Sequence, residues 1–187
     1  MISEELKQKN FNLFLTKLRN IGIDLTNIDE NLASKITNAT FAINAENNCA
    51  YDGSMLHIVL RTLTPFALKI NELLPENIRV DNNSIIKVCL LSHISKSEMF
   101  VKNDNQWEIE KRGIHYKYSP TNVALKMGAR SILMSQNLGI NFSNEEFEAM
   151  MILDRDDNDL QAKFYSNPLS IIIKQANELT FLQNRFN

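Results

Sequence analysis

The stretch SIIKVCLLSH, residues 84–93, has almost no polar face. A helix that is apolar all round must be enclosed on every side, so this segment reads as the central element of a helical core. Its neighbours supply the enclosing layers. Upstream, Ser54 to Leu74 is strongly periodic, with Met55, Leu56, Val59, Leu63, Phe66 and Ile70 at helical spacing. Pro65 lies inside that run and predicts a kink or a split near Thr64, because proline lacks an N–H and crowds the preceding turn. Earlier still, Ser3 can cap a helix to about Asn20, with Glu4 and Glu5 at its positive end. A second helix is expected from about Asp29 to Ala42, and Glu46 to Gly53 reads as a loop.

Downstream the character changes. From Ser97 to Tyr118, apolar and polar residues alternate around Asn103-Asp104-Asn105 and Gly113, the pattern of a small β-hairpin excursion. Helix is expected again from Pro120 or Thr121 to Leu138, stopped by Gly139. Ser143 and Glu146 make a capping box for a helix to about Leu153, and Pro168 opens a last helix from about Asn167 to Arg185. The expected class is therefore mostly α: six or seven helices with one small β-hairpin excursion. Residues 1–45 would pack as N-terminal helices on a core formed by 46–187, within one compact unit.

Composition agrees with that picture. Five glycines and four prolines in 187 residues are sparse punctuation for a chain of many short strands. Hydrophobic residues at 44% and charged residues at 22% are ordinary globular values. A net charge of −2 gives no global field for gripping nucleic acid or anionic lipid. Two cysteines, Cys49 and Cys89, form no disulfide framework, which points to a reducing compartment and a cytoplasmic location. The opening MISEELKQKN is too polar for a secretory leader, and no apolar run approaches the roughly 20 residues of a membrane span.

The chain carries no Gly-rich phosphate loop, no HExxH, no paired CxxC and no nucleophile elbow. Four segments, in order, do carry a family pattern: MLHIVLRTL around His57, KVCLLSHISK (87–96), MGARSILMSQNLGINFSNEEFEAMMI (127–152), and PLSIIIKQANELT (168–180). Together they resemble the HD-domain superfamily of metal-dependent phosphohydrolases, over roughly Tyr51 to Leu182. The resemblance implies an HD-like helical bundle. It also implies a metal cage built from a first His, a His-Asp pair ending a buried helix, and a late Asp. Position by position, those ligands fall on His57, Ser92, His93 and Asn177. Serine and an uncharged amide are poor ligands for such ions, and His93 would stand about 100° round the helix from the inward position. If the alignment slips by one residue, His93 takes the place of the pair's histidine, but Ile94 then replaces its carboxylate. Histidines that hold a second metal in some members would fall near Lys126 and Leu153-Asp154.

The expectation is a catalytically degenerate HD-like domain, a pseudo-hydrolase with no cofactor, that acts by binding or assembly. The alternative is a phosphohydrolase of nucleotides or phosphate esters with one divalent ion (Mn, Fe or Mg) on His57, His93 and Asp154. A third reading keeps a nucleotide-sensing pocket without chemistry. The plainer readings are a half-buried His57 bonded to a backbone carbonyl and a His93 that caps a helix C-terminus. The whole chain also resembles small HD-like proteins of gut bacteria and their tailed phages. A phage source would imply a virion component such as a connector or tail-ring protein, and the excess of asparagine, about one residue in eight, fits an AT-rich genome.

The remaining candidates are on the excursion and in one loop. Trp107, Arg112, Tyr116 and Tyr118 could form an interaction surface, since such residues anchor interfaces. The implied partners are further copies of the chain or other protein subunits. With Lys111, Lys117, Lys126 and Arg130 the same aromatics could face nucleic acid, but Glu108 and Glu110 dilute that field. Asp154, Asp156, Asp157 and Asp159 lack the central glycine and distal glutamate of a calcium loop and read as a solvated acidic loop.

Overall fold

The computed structural model of the chain describes residues 2–25, 27–44, 48–120, 125–154 and 167–186. It is mostly helical with one two-stranded antiparallel sheet, the class expected from the sequence. Helix α1 (Glu4–Asn20) is capped by Ser3, whose Oγ accepts from Leu6 N at 3.2 Å. Helix α2 (Glu30–Asn38) is capped by Asp29 in the same way. It stops four residues short of the expected Ala42. Ser54 Oγ accepts from Phe41 N at 2.8 Å, and the Thr40 hydroxyl donates to Ala42 O, so the chain turns away from the helix to meet the next one.

The periodic segment at 54–74 is not split in two. It runs as α3 (Ser54–Ile58), a π-helical turn (Val59–Leu63) and α4 (Thr64–Leu73). The widened turn is how the helix accommodates Pro65: Thr64 donates both its N–H and its hydroxyl to Val59 O, one residue further back than α-helical pairing. After a 3₁₀ turn (Glu76–Ile78), Asp81 caps α5 (Asn82–Leu91), and α6 (Lys96–Met99) follows after one turn. Every residue from Val88 to Ser97 is buried, so the segment that reads as central is central.

The excursion is more elaborate than a hairpin. Strands β1 (Phe100–Lys102) and β2 (Tyr116–Tyr118) pair antiparallel, but helix α7 (Gln106–Arg112) fills the connection, with Asn105 as its cap. Trp107 and Ile109, which read as strand alternation, are helical. The C-terminal half comprises α8 (Met127–Asn137), α9 (Asn144–Met151) with a 3₁₀ turn (Ile152–Asp154), and α10 (Pro168–Phe186). Gly139 ends α8 at φ +81°, as expected. The expected start of that helix at 120–121 falls partly on residues outside those described, and Asp156, Asp157 and Asp159 lie wholly outside them.

One hydrophobic cluster joins the long helices, while α6 and the excursion of β1, α7 and β2 lie outside it. Phe14 and Leu18 from α1, Leu63, Ile85 and Leu91 from the middle, and Ile173 from α10 are each 0% exposed. Two close fits hold the C-terminal half against it. A Cβ on Gly128 would stand 2.3 Å from Met150 O, so only glycine lets α8 approach the end of α9. At the start of α9 the Ser143–Glu146 capping box forms, and Glu146 also takes Lys87 Nζ from α5 at 2.6 Å. Among the described residues no helix is long and apolar enough to cross a membrane.

Candidate functional site

The C-terminal end of the central segment carries Ser92 and His93, two of the four positions named from the sequence. His93 is 1% exposed and packs against Phe41 with the rings tilted by 49° and their centroids 4.7 Å apart. Phe41 comes from the turn after α2, and its ring also meets Phe181 of α10 at 5.5 Å. Asn177, one turn earlier on α10, stands beside His93. No hydrogen bond of sound geometry joins them: both ring nitrogens of His93 and Oδ1 of Asn177 are buried without a partner. His93 therefore does not cap a helix C-terminus. Burial first, and then the nearby Lys96, hold its pKa well below the ordinary histidine value, with Asn177 acting weakly the other way.

Lys96 was not among the residues singled out from sequence. It is 5% exposed, donates to Phe41 O at 2.6 Å and sits 3.6 Å from the centre of the Phe41 ring. Burial lowers its pKa to about 7, against a small opposing effect of the Cys49 thiol, which burial in turn pushes up to about 11. The reading missed Lys96 because a lysine after a helix end is usually solvated. The cues to it were its place in an otherwise enclosed run and its position at the end of the segment KVCLLSHISK.

The other sequence-predicted positions have separate duties. Ser92 is 0% exposed; its Oγ donates to Cys89 O, and its carbonyl accepts from Ser131 Oγ on α8 at 2.9 Å. His57 is half-buried, edge-on to Tyr51 at 6.4 Å, with Nδ1 buried and without a hydrogen-bond partner. Burial, and then Arg61, lower its pKa. Asp154 serves as the cap that α8 otherwise lacks: its carboxylate accepts from Gly128 N at 2.6 Å and Ala129 N at 2.9 Å, and its carbonyl accepts from Lys126 Nζ. Nothing in the sequence marks that contact across 26 residues.

These donors do not fit a divalent cation. A dication needs anionic oxygens beside its imidazoles. Here the oxygens near His93 are neutral, Asp154 is engaged by a helix terminus, and a lysine amine stands beside the ring. Among the described residues no three of His, Cys, Asp and Glu form a group that could hold a metal ion.

Outside the core, a cleft of about 630 Å³ separates the end of α2 from strand β1. Lys35, Asn38, Asp52, Phe100, Lys102 and Arg130 are among its walls. Asp52 accepts from Tyr116 Oη at 2.8 Å and from Lys102 Nζ at 2.8 Å. Tyr116 is thereby turned inward, at 8% exposure, and leaves the surface on which the sequence placed it. Trp107 and Tyr118 remain outside at 61% and 58%, with Arg112 exposed beside Glu108. Lys117 pairs with Asp104, so much of the positive charge on the excursion is met locally. No family model matches the chain, and neither a curated protein nor a solved structure matches it.

Proposed function

We propose that this chain is a binding or assembly module on an HD-like helical bundle whose interior no longer supports metal-dependent phosphoryl chemistry. The observation that carries the reading is the neighbourhood of His93: two imidazole nitrogens and an amide oxygen without partners, a lysine amine beside them and, among the described residues, no carboxylate. A site for hydrolysis would concentrate negative oxygen there to hold the ion and acidify its water. What this chain keeps instead is a closed core and large exposed side chains on the excursion. Trp107 and Tyr118 are the anchors through which copies of the chain associate, and a ring of copies in a virion is one concrete form of that assembly.

The test is size-exclusion chromatography with light scattering across the micromolar range. The expected result is concentration-dependent self-association, weakened roughly thirtyfold by Trp107→Ala, the size of a typical anchor loss. A strict monomer at every concentration would count against this reading.

A further inference from the structure

Helix α10 is apolar over more of its surface than the core covers. Leu169, Ile172, Ile173 and Ala176 are buried. Ile171, Leu179, Leu182 and Phe186 lie outside, with Leu182 at 55% and Phe186 at 76% exposure. At about 100° per residue these four fall within about 80° of arc, so they form one outward stripe. Single exposed hydrophobic side chains are ordinary, but five of the thirteen large ones exposed among the described residues sit on this helix. The stripe presents about 400 Å² of apolar surface, the scale of a patch used for contact. An apolar arc that runs past the core face is the mark of a helix with a second neighbour.

That neighbour must offer a large apolar side chain and, beside it, a negative charge. Arg185 flanks the stripe one turn beyond Leu182, and the ion pair of α10 joins Lys174 to Glu178 and leaves Arg185 out. The chain itself carries the matching piece. Trp107 stands out from α7, and Glu110, one turn further along the same helix, takes only the side-chain amide of Gln106, at 2.7 Å. Among the described residues neither Arg185 nor Glu110 meets an opposite charge. Tyr118, the second exposed aromatic of the excursion, is braced by the Phe100 ring at 5.4 Å. The two surfaces belong to different parts of the fold: α10 packs on α4 and α9, whereas the excursion is joined to α6. Both stay exposed, so within one chain they do not cover each other.

We infer that the outward stripe of α10 receives the Trp107 excursion of a second copy, with Glu110 of one copy set against Arg185 of the other. The inference rests on the assembly reading and names the surface that its anchors meet. Because the two patches differ, the contact is heterologous. Each copy offers one excursion and one stripe, so copies link head to tail, and a ring closes when the rotation between them allows it. Opposite charges beside the two apolar anchors fix the register. The stripe is small for a permanent interface and fits association in the micromolar range.

Complementation between two variants tests this, read by size-exclusion chromatography with light scattering. Trp107→Ala keeps the stripe and loses the anchor; Leu182→Glu keeps the anchor and loses the stripe. Each alone should self-associate about thirtyfold more weakly than the unmodified chain. Mixed in equal amounts they should form a one-to-one pair at the affinity of the unmodified contact, since one intact excursion then faces one intact stripe. Charge reversal supplies a second pair: Arg185→Glu and Glu110→Arg should each weaken association about fivefold and restore it when mixed. All four positions are exposed, so the core is untouched, and urea midpoints confirm that each variant is folded. Leu182→Glu associating like the unmodified chain, or a mixture no larger than its parts, would overturn the inference. Either result would leave the assembly reading standing, whereas an unmodified chain that stays monomeric would remove both.

Discussion

Two lysines nine residues apart on the same central stretch, Lys87 half-buried and Lys96 buried, are treated in opposite ways. Lys87, on α5, meets Glu146 at 2.6 Å and also donates to Asn141 O, so its charge has a buried carboxylate to answer it. Lys96, on α6, meets a carbonyl and an aromatic ring and no carboxylate, and burial lowers its pKa to about 7. One end of the segment is built around a positive charge. The other end, where His93 and Asn177 lie, disfavours one. That contrast is the physical content of the proposal: a region that does not welcome an ammonium has still less to offer a dication.

The largest expected effect comes from breaking the well-answered lysine. Lys87→Met leaves Glu146 buried at 8% side-chain exposure, without its ion pair. Removing one member of a buried pair costs about 3 kcal/mol, readable as a lower urea midpoint with unchanged slope. A change below about 1 kcal/mol would erase the difference between the two lysines.

A smaller effect, of opposite character, belongs to Lys96. Its folded pKa near 7 lies below the value of about 10.5 for a free lysine, so between those limits the unfolded chain binds more protons. Stability should therefore rise with pH through this window, by about 2 kcal/mol between pH 7 and 9. The cysteines set the upper limit. Burial raises Cys49 to about 11 and Cys89 to about 12 from 9.0, so their stabilising effect is whole below pH 9 and fades above it. Denaturant titrations from pH 6 to 10 should show the maximum near pH 9, and Lys96→Met should flatten the rise below it. A rise that survives Lys96→Met would assign the effect to other groups.

Local rules made much of the fold readable in the sequence. The Ser3 cap, the Ser143–Glu146 box, the stop at Gly139 and the all-apolar central stretch each depend on residues within one or two turns. What the sequence did not disclose depends on distant partners. Helix α2 ends early because Ser54 takes Phe41 N, and Pro65 is absorbed by a π turn rather than a break. Helix α7 arises inside a stretch whose alternation mimics strand. At the candidate site, His93 and Asn177, both named from the sequence, lie side by side. No local rule disclosed Lys96 bound to Phe41 across 55 residues, or Asp154 engaged by α8.

The most direct measurement is elemental analysis of the natively purified chain, repeated after dialysis against micromolar Mn²⁺ and on a His57→Ala variant. The account predicts well under a tenth of an equivalent of Mn, Fe or Zn per chain, unchanged by the substitution. One equivalent of any of these, lost in His57→Ala, would contradict it.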